Sequence, residues 1–168
     1  HGVIVKEVCI NRSQWDHSLE NNGEPCLNLR LGFRQIKGLS KNDVDRIIEE
    51  RGNGYNDPQD LWHRIRLSPN IIKLLVKANS FHSLNKNRRL LLWDTQAIKR
   101  TNSLALFEGY SEKEYLPEKS VNLPNMTSGE ELILDYQSLR LSLSTHPVKL
   151  LRPFLKKSFI EKYCVISV

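Results

Sequence analysis

One small pattern occurs twice in this chain: a short amphipathic piece, a tight turn, and a serine placed to cap the helix that follows. The first copy lies around GLS at residues 38–40 and the second around RLSP at residues 66–69. A unit this small cannot bury its apolar side alone, so two copies in tandem are expected to pack face to face. This requirement predicts a mainly α chain organised around one module of roughly 65 residues.

The first copy reads IKGLSKNDVDRII from residue 36. Gly38 marks a sharp turn, Ser40 can cap the next helix, and Asp43 stands three residues on, as a capping-box acid does. The spacing predicts a helix from about Lys41 to Arg51 that buries Val44, Ile47 and Ile48. Its first turn leaves amide groups unpaired beside Lys37 and Lys41, an arrangement that accepts a phosphate. A helix corner that binds nothing is the other reading, and these residues alone leave both open. In the second copy, GNGYNDP at 52–58 is a turn cluster and Pro58 opens a helix through DLWHRI. Ser68 then caps, Pro69 takes the first helical position, and Ile71, Ile72, Leu74, Leu75 and Ala78 form the buried side. Asn79 is expected to stop that helix in a left-handed conformation.

Two helices joined by a hairpin, twice over, make a tandem helix-hairpin-helix module. Around it, LNLRLGF at 27–33 alternates Leu27, Leu29, Leu31 and Phe33 with polar or small residues, as a half-buried strand does. GVIVKEVCI at 2–10 is a weaker strand candidate. A helix over RRLLLWDTQAIK closes the module with Leu91, Leu92 and Trp93 in its core. The expected organisation is short strands in 1–34, the module in 35–100, a polar linker in 101–127, extra C-terminal helices in 128–157 and a tail in 158–168.

The net charge of +6 is concentrated. Residues 61–104 hold nine Lys and Arg against the single acid Asp94, whereas the flanking regions are nearly balanced. A one-sign block of this length argues for an anionic partner such as a phosphate backbone, with a merely solubilising face as the alternative. Catalytic chemistry is not expected. Asp43 and Asp45 form a DxD pair, but on a helix positions i and i+2 point in different directions, so no metal site is expected there. His63 and His82 lack ligand spacing, and no GxSxG, phosphate-binding loop or GxGxxG occurs. Cys9, Cys26 and Cys164 are far apart and odd in number, which fits reduced thiols in a cytoplasmic setting; no long apolar run suggests a membrane span. The chain starts without methionine, and we expect a piece of a longer polypeptide.

In order, HGVIVKEVCIN, LRLGFRQIKGLS, DLWHRIRLSPNIIKLLVKANSFHSL, NRRLLLW and MTSGEELILDYQSLRLSLSTHPVKLLR resemble bacterial C-family DNA polymerases, the relatives of the polymerase III alpha subunit. LGFRQIKGL, RRLLLW and LSLSTHPVKLLR look most like the error-prone, damage-inducible branch of ImuC type. The resemblance covers about residues 1–155. It implies a fragment running from the end of the fingers through the tandem helix-hairpin-helix region, stopping short of the oligonucleotide-binding fold. The family's catalytic carboxylates match nothing here, so no cofactor is expected in this chain and Mg²⁺ only in the parent active site. The function implied by the resemblance is that of a non-catalytic, sequence-independent module of translesion synthesis that holds double-stranded or primer-template DNA. Its candidate DNA-binding residues are Lys37, Gly38, Leu39, Ser40, Lys41, Arg64, Arg66, Ser68, Lys73, Arg88 and Arg89. SLALF at 103–107 is similar to the family's clamp-binding peptide at Leu104, Leu106 and Phe107, with Ser103 in place of glutamine. The sliding clamp, ImuA- and ImuB-type accessory proteins and the rest of the polymerase are the partners implied. A scaffold that docks those partners is the alternative function.

Overall fold

In the computed structural model, residues 3–21, 27–101 and 123–157 are described. Three short strands, β1 (Val5–Lys6), β2 (Ser18–Glu20) and β3 (Asn28–Arg30), form a sheet in the order β1-β3-β2, parallel between β1 and β3 and antiparallel between β2 and β3. Among the described residues six helices come after the sheet: α1 (Lys41–Glu49), α2 (Pro58–Ile65), α3 (Pro69–Lys77), α4 (Arg88–Thr101), α5 (Ser128–Leu139) and α6 (Pro147–Lys157). The chain is mainly α, as expected. The peptide at Leu104, Leu106 and Phe107, most of the linker, the tail, Cys26 and Cys164 lie outside the described residues.

The sheet corrects the strand reading. In β3 the polar residues Asn28 and Arg30 are buried, while Leu27 is exposed and Leu29 only half-buried. An ion pair reverses the pattern: Arg30 donates to both Glu20 carboxylate oxygens, at 2.5 and 2.9 Å, and to the Glu7 carbonyl at 3.0 Å. The Arg30 hydrogen bond holds the Glu20 carboxyl below the usual carboxylate range. A charged group is tolerated inside because its donors are satisfied. Beyond Arg30 the two-residue period ends, since Leu31 and Phe33 enter the core through a 3-10 turn at Phe33–Gln35. Gly32 is required at that bend: a Cβ there would meet the Trp15 carbonyl oxygen at 2.4 Å. In the weaker candidate only Val5–Lys6 is strand, and Val8, Cys9 and Ile10 are buried beyond it.

The helices start where their caps predict. Ser40 Oγ accepts from the Asp43 amide at 3.2 Å, Asp57 Oδ1 from Asp60 at 2.8 Å, and Ser68 Oγ from Ile71 at 3.4 Å. Asp43 is not a capping-box acid, however: its carboxylate accepts the Ser40 hydroxyl at 2.5 Å instead of the cap amide. The reciprocal box occurs at α5, between Thr127 and Glu130. α1 ends at Glu49, two residues before the expected Arg51. Val44 and Ile47 are buried there; Ile48, expected inside with them, is only half-buried. In α3 the buried side is Ile72, Leu75, Val76 and Ala78, with Ile71 and Leu74 at its edge, and Asn79 stops the helix at φ 55°. Trp93, expected in the core, is 55% exposed on α4, whereas Leu91 is buried.

A single apolar cluster joins the segments, running from Val8 and Phe33 through Ile47 and Ile72 to Leu91 and Leu139. Each such side chain contributes about 1.5 to 3 kcal/mol by leaving water. Tyr55 lies in this cluster between the two copies of the repeat. Its hydroxyl donates to the Ile47 carbonyl at 2.8 Å, and Asn11 pairs with its backbone at both ends, at 2.7 and 3.0 Å.

Candidate nucleic-acid interface

The two hairpins use the same order of parts: a residue at positive φ, a leucine and a capping serine. In the first, Gly38 takes φ +88°, Leu39 points partly inward and Ser40 caps α1. In the second, Arg66 takes the left-handed position at φ 55°, Leu67 is buried and Ser68 caps α3. The turn geometry is common to both, but the groups offered to solvent differ.

At the first hairpin Lys37, Gly38, Ser40 and Lys41 are all exposed. Ser40 occupies the Asp43 amide, and the first-turn amides of Lys41 and Asn42 have no protein acceptor among the described residues. These donors stand at the positive end of α1, where an anion is favoured. Gly38 also lies against α3: a Cβ on it would come 3.3 Å from Leu74 Cδ1. A shallow cleft of about 250 Å³ opens there, lined by Lys37, Gly38, Leu74, Lys77, Gln137 and Ser138. Lys73 sits one turn before Lys77 and therefore on the same face of α3. The fold thus brings Lys37, Gly38 and Lys77 to one edge, with Lys41 and Lys73 on the adjoining turns. Among the described residues, Lys37, Lys41 and Lys73 carry no ion pair. Lys77 was missing from the candidate set; its i, i+4 spacing from Lys73 was the signal that would have added it.

Most arginines of the basic block are turned to other uses. Arg88 is 7% exposed, with Nη1 donating to Asp135 at 2.8 Å and Nη2 to the Lys77 carbonyl, so it is a core ion pair and not a DNA contact. Arg89 donates to both oxygens of Glu130 at 2.7 Å, on a carboxyl that hydrogen bonds from Thr127 already hold below its ordinary range. Arg64 donates to the carbonyls of Gly54, at 2.9 Å, and Glu50, and its guanidinium lies 4.5 Å from the Tyr55 ring centre. Arg66 lies over Trp62 at 4.1 Å, and Lys86 reaches Asp57 at 3.5 Å. A block with a single acid in sequence thus acquires others through space, from residues 57, 60, 130 and 135. Pro69 further removes one amide from the second hairpin, and Ser68 is left as a cap. No helix among the described residues is long and apolar enough to cross a membrane.

Comparison with known proteins agrees with this geometry. The helix-hairpin-helix motif profile matches residues 2–91. Over 153 residues the chain is 44% identical to an error-prone DNA polymerase of Ruegeria pomeroyi, a match covering 91% of this chain and 14% of that protein. It is 41% identical over 152 residues to an error-prone DNA polymerase of Brucella abortus biovar 1, covering 90% of this chain and 14% of the relative. Error-prone DNA polymerase 1 of Rhizobium meliloti is 37% identical over 173 residues, covering 90% of this chain and 16% of that polymerase. The chain spans about one-seventh of the length of these curated relatives. It is similar to one stretch of bacterial error-prone DNA polymerases, and with more than half its residues matched it belongs to the helix-hairpin-helix motif family.

Proposed function

We propose that this chain is a non-catalytic module that grips the backbone of duplex or primer-template DNA without reading its sequence, within a polymerase acting in damage-induced translesion synthesis. The observation that carries the reading is the first hairpin: open amides at the start of α1, a glycine at φ +88°, and Lys37 and Lys41 on either side. Lys73 and Lys77 extend the same basic edge along α3. Backbone amides and lysines contact phosphates, which fix register and carry no base information. This suits a protein that must travel over any sequence.

Titration of the chain with random-sequence duplex at several salt concentrations tests it. Log affinity is expected to fall linearly with log salt, by about 0.9 per neutralised phosphate. Lys37→Glu or Lys41→Glu is expected to weaken binding to all sequences alike. Absence of binding at low salt, or a sequence-dependent loss, overturns the reading. Template-directed primer extension by the chain alone would overturn its non-catalytic part.

A second reading rests on α6, where Val148, Leu151, Phe154 and Leu155 are exposed at helical spacing. That stripe supports a scaffold docking neighbouring polymerase domains, the sliding clamp or ImuA- and ImuB-type proteins. A chain indifferent to DNA that binds one of these proteins through α6 would favour it.

A further inference from the structure

The last turn of any helix leaves carbonyls without intrahelical donors. At the end of α5, Arg140 takes a left-handed conformation at φ 60° and returns its amide to the Tyr136 carbonyl at 3.1 Å. Two further orphans, the Ser138 and Leu139 carbonyls, are satisfied from the first hairpin and the turn before it. The Lys37 amide donates to the Ser138 carbonyl at 2.9 Å, and Gln35 Nε2 donates to the Leu139 carbonyl at 2.7 Å. α5 is itself fixed on its other side. Arg88 ties Asp135 to the Lys77 carbonyl, Ser142 Oγ donates to the second Asp135 oxygen at 2.9 Å, and Ser138 Oγ lies 3.2 Å from the Lys77 carbonyl. The phosphate-facing turn is thus pinned to a helix that begins at residue 128, outside the matched residues 2–91.

We infer that α5 is a brace for the first hairpin and that Gln35, which faces the α5 terminus and not the cleft, is a positioning residue for phosphate binding. This rests on the DNA-binding reading above. Lys37 sits in a turn whose outer residue is glycine, and an untethered turn of that kind samples several backbone states. Two bonds to one rigid helix end select a single state before DNA arrives, so the ordering cost is not incurred on binding.

The test uses the whole chain carrying Gln35→Met, which keeps the length of the side chain and removes its donor. Gln35 is half-buried, so the variant is expected to fold, and its thermal transition is checked first. In the free protein, hydrogen exchange at the Lys37 amide is expected to accelerate about five- to tenfold while the Ile72 amide of α3 is unchanged. On random duplex at one salt concentration, affinity is expected to fall several-fold, and this fall should vanish in a Lys37→Ala background. Gln35→Lys, which restores a donor toward the Leu139 carbonyl, should return Lys37 protection to its original level. A merely structural glutamine would lower the melting temperature and leave duplex affinity alone. Unchanged exchange at Lys37, or additive effects of Gln35→Met and Lys37→Ala on DNA affinity, overturns the brace. Failure of the unmodified chain to bind duplex sinks the DNA-binding reading instead, and the exchange measurement still decides whether α5 holds the hairpin.

Discussion

The two hairpins perform one turn with opposite residue choices. At the first, the left-handed position is Gly38, the helix starts with Lys41, and the leucine between is only half-buried. At the second, the left-handed position is Arg66, the helix starts with Pro69, and Leu67 is 2% exposed. Arg66 folds back over Trp62 at 4.1 Å, so the one cation in the second turn covers its own module. The first turn keeps its donors open and its cations free of ion pairs, and the second buries its leucine and lays its arginine over Trp62.

The largest expected effect is at the left-handed position. Gly38→Val places a β-branched residue at φ +88° with its Cβ 3.3 Å from Leu74, and should cost on the order of 2 to 3 kcal/mol. Arg66→Gly should change stability by less than about 1 kcal/mol, since relief at φ 55° offsets the lost stacking on Trp62. Thermal melts of the two variants check this. Equal losses at both sites would show that the turns are not specialised as described.

Tyr55 sharpens the comparison by testing what holds the two copies together. Burial pushes its hydroxyl up to about 12, only partly opposed by the Arg64 and Arg51 cations. The unfolded chain loses this proton near pH ~10 while the fold retains it, so stability is full below that pH and falls as pH rises through about 12. Tyr55→Phe removes the bond to the Ile47 carbonyl and should cost about 1 kcal/mol at neutral pH, while flattening the alkaline loss. Melts from pH ~8 to ~12 provide the measurement. An alkaline loss of the same size in Tyr55→Phe would place the titrating group elsewhere.

Local chemistry made the helices legible, and distance in sequence hid the rest. Ser40, Pro58, Ser68 and Asn79 act within a few residues of themselves, so their roles follow from spacing alone. The buried Arg30 did not follow: its partners Glu20 and Glu7 are ten and twenty-three residues away, and only their convergence makes an arginine tolerable inside. The same limit misdirected the reading of the basic block, where Arg88 and Arg89 find Asp135 and Glu130 across more than forty residues. The exposed placing of Lys37, Gly38 and Lys41 beside the start of α1 was legible because a hairpin and its helix start are local. The cleft they share with Lys77, and the bond from Gln35 to α5, belong to tertiary packing and have no local signature.

The smallest expected difference lies in the caps. Both serines accept from the amide three residues on, at 3.2 Å for Ser40 and 3.4 Å for Ser68. Ser40 is further held by donating to Asp43, which keeps its oxygen aimed at the helix start, and an acid in the first turn favours the helix dipole. Ser68 has no acid in its first turn, and Pro69 already fixes the backbone at the first helical position. Ser40→Ala should therefore cost about 1 kcal/mol and Ser68→Ala nearer ~0.5 kcal/mol. The two differ more sharply in binding. Removing the Ser40 hydroxyl frees the Asp43 carboxylate beside the open amides of Lys41 and Asn42, where it competes with a phosphate, so affinity for duplex should fall several-fold. Ser68→Ala, at a turn whose arginine is engaged with Trp62, should leave affinity nearly unchanged. Paired melts and duplex titrations at one salt concentration measure both, and an equal loss of affinity from the two variants would mean that the second hairpin contacts DNA as closely as the first.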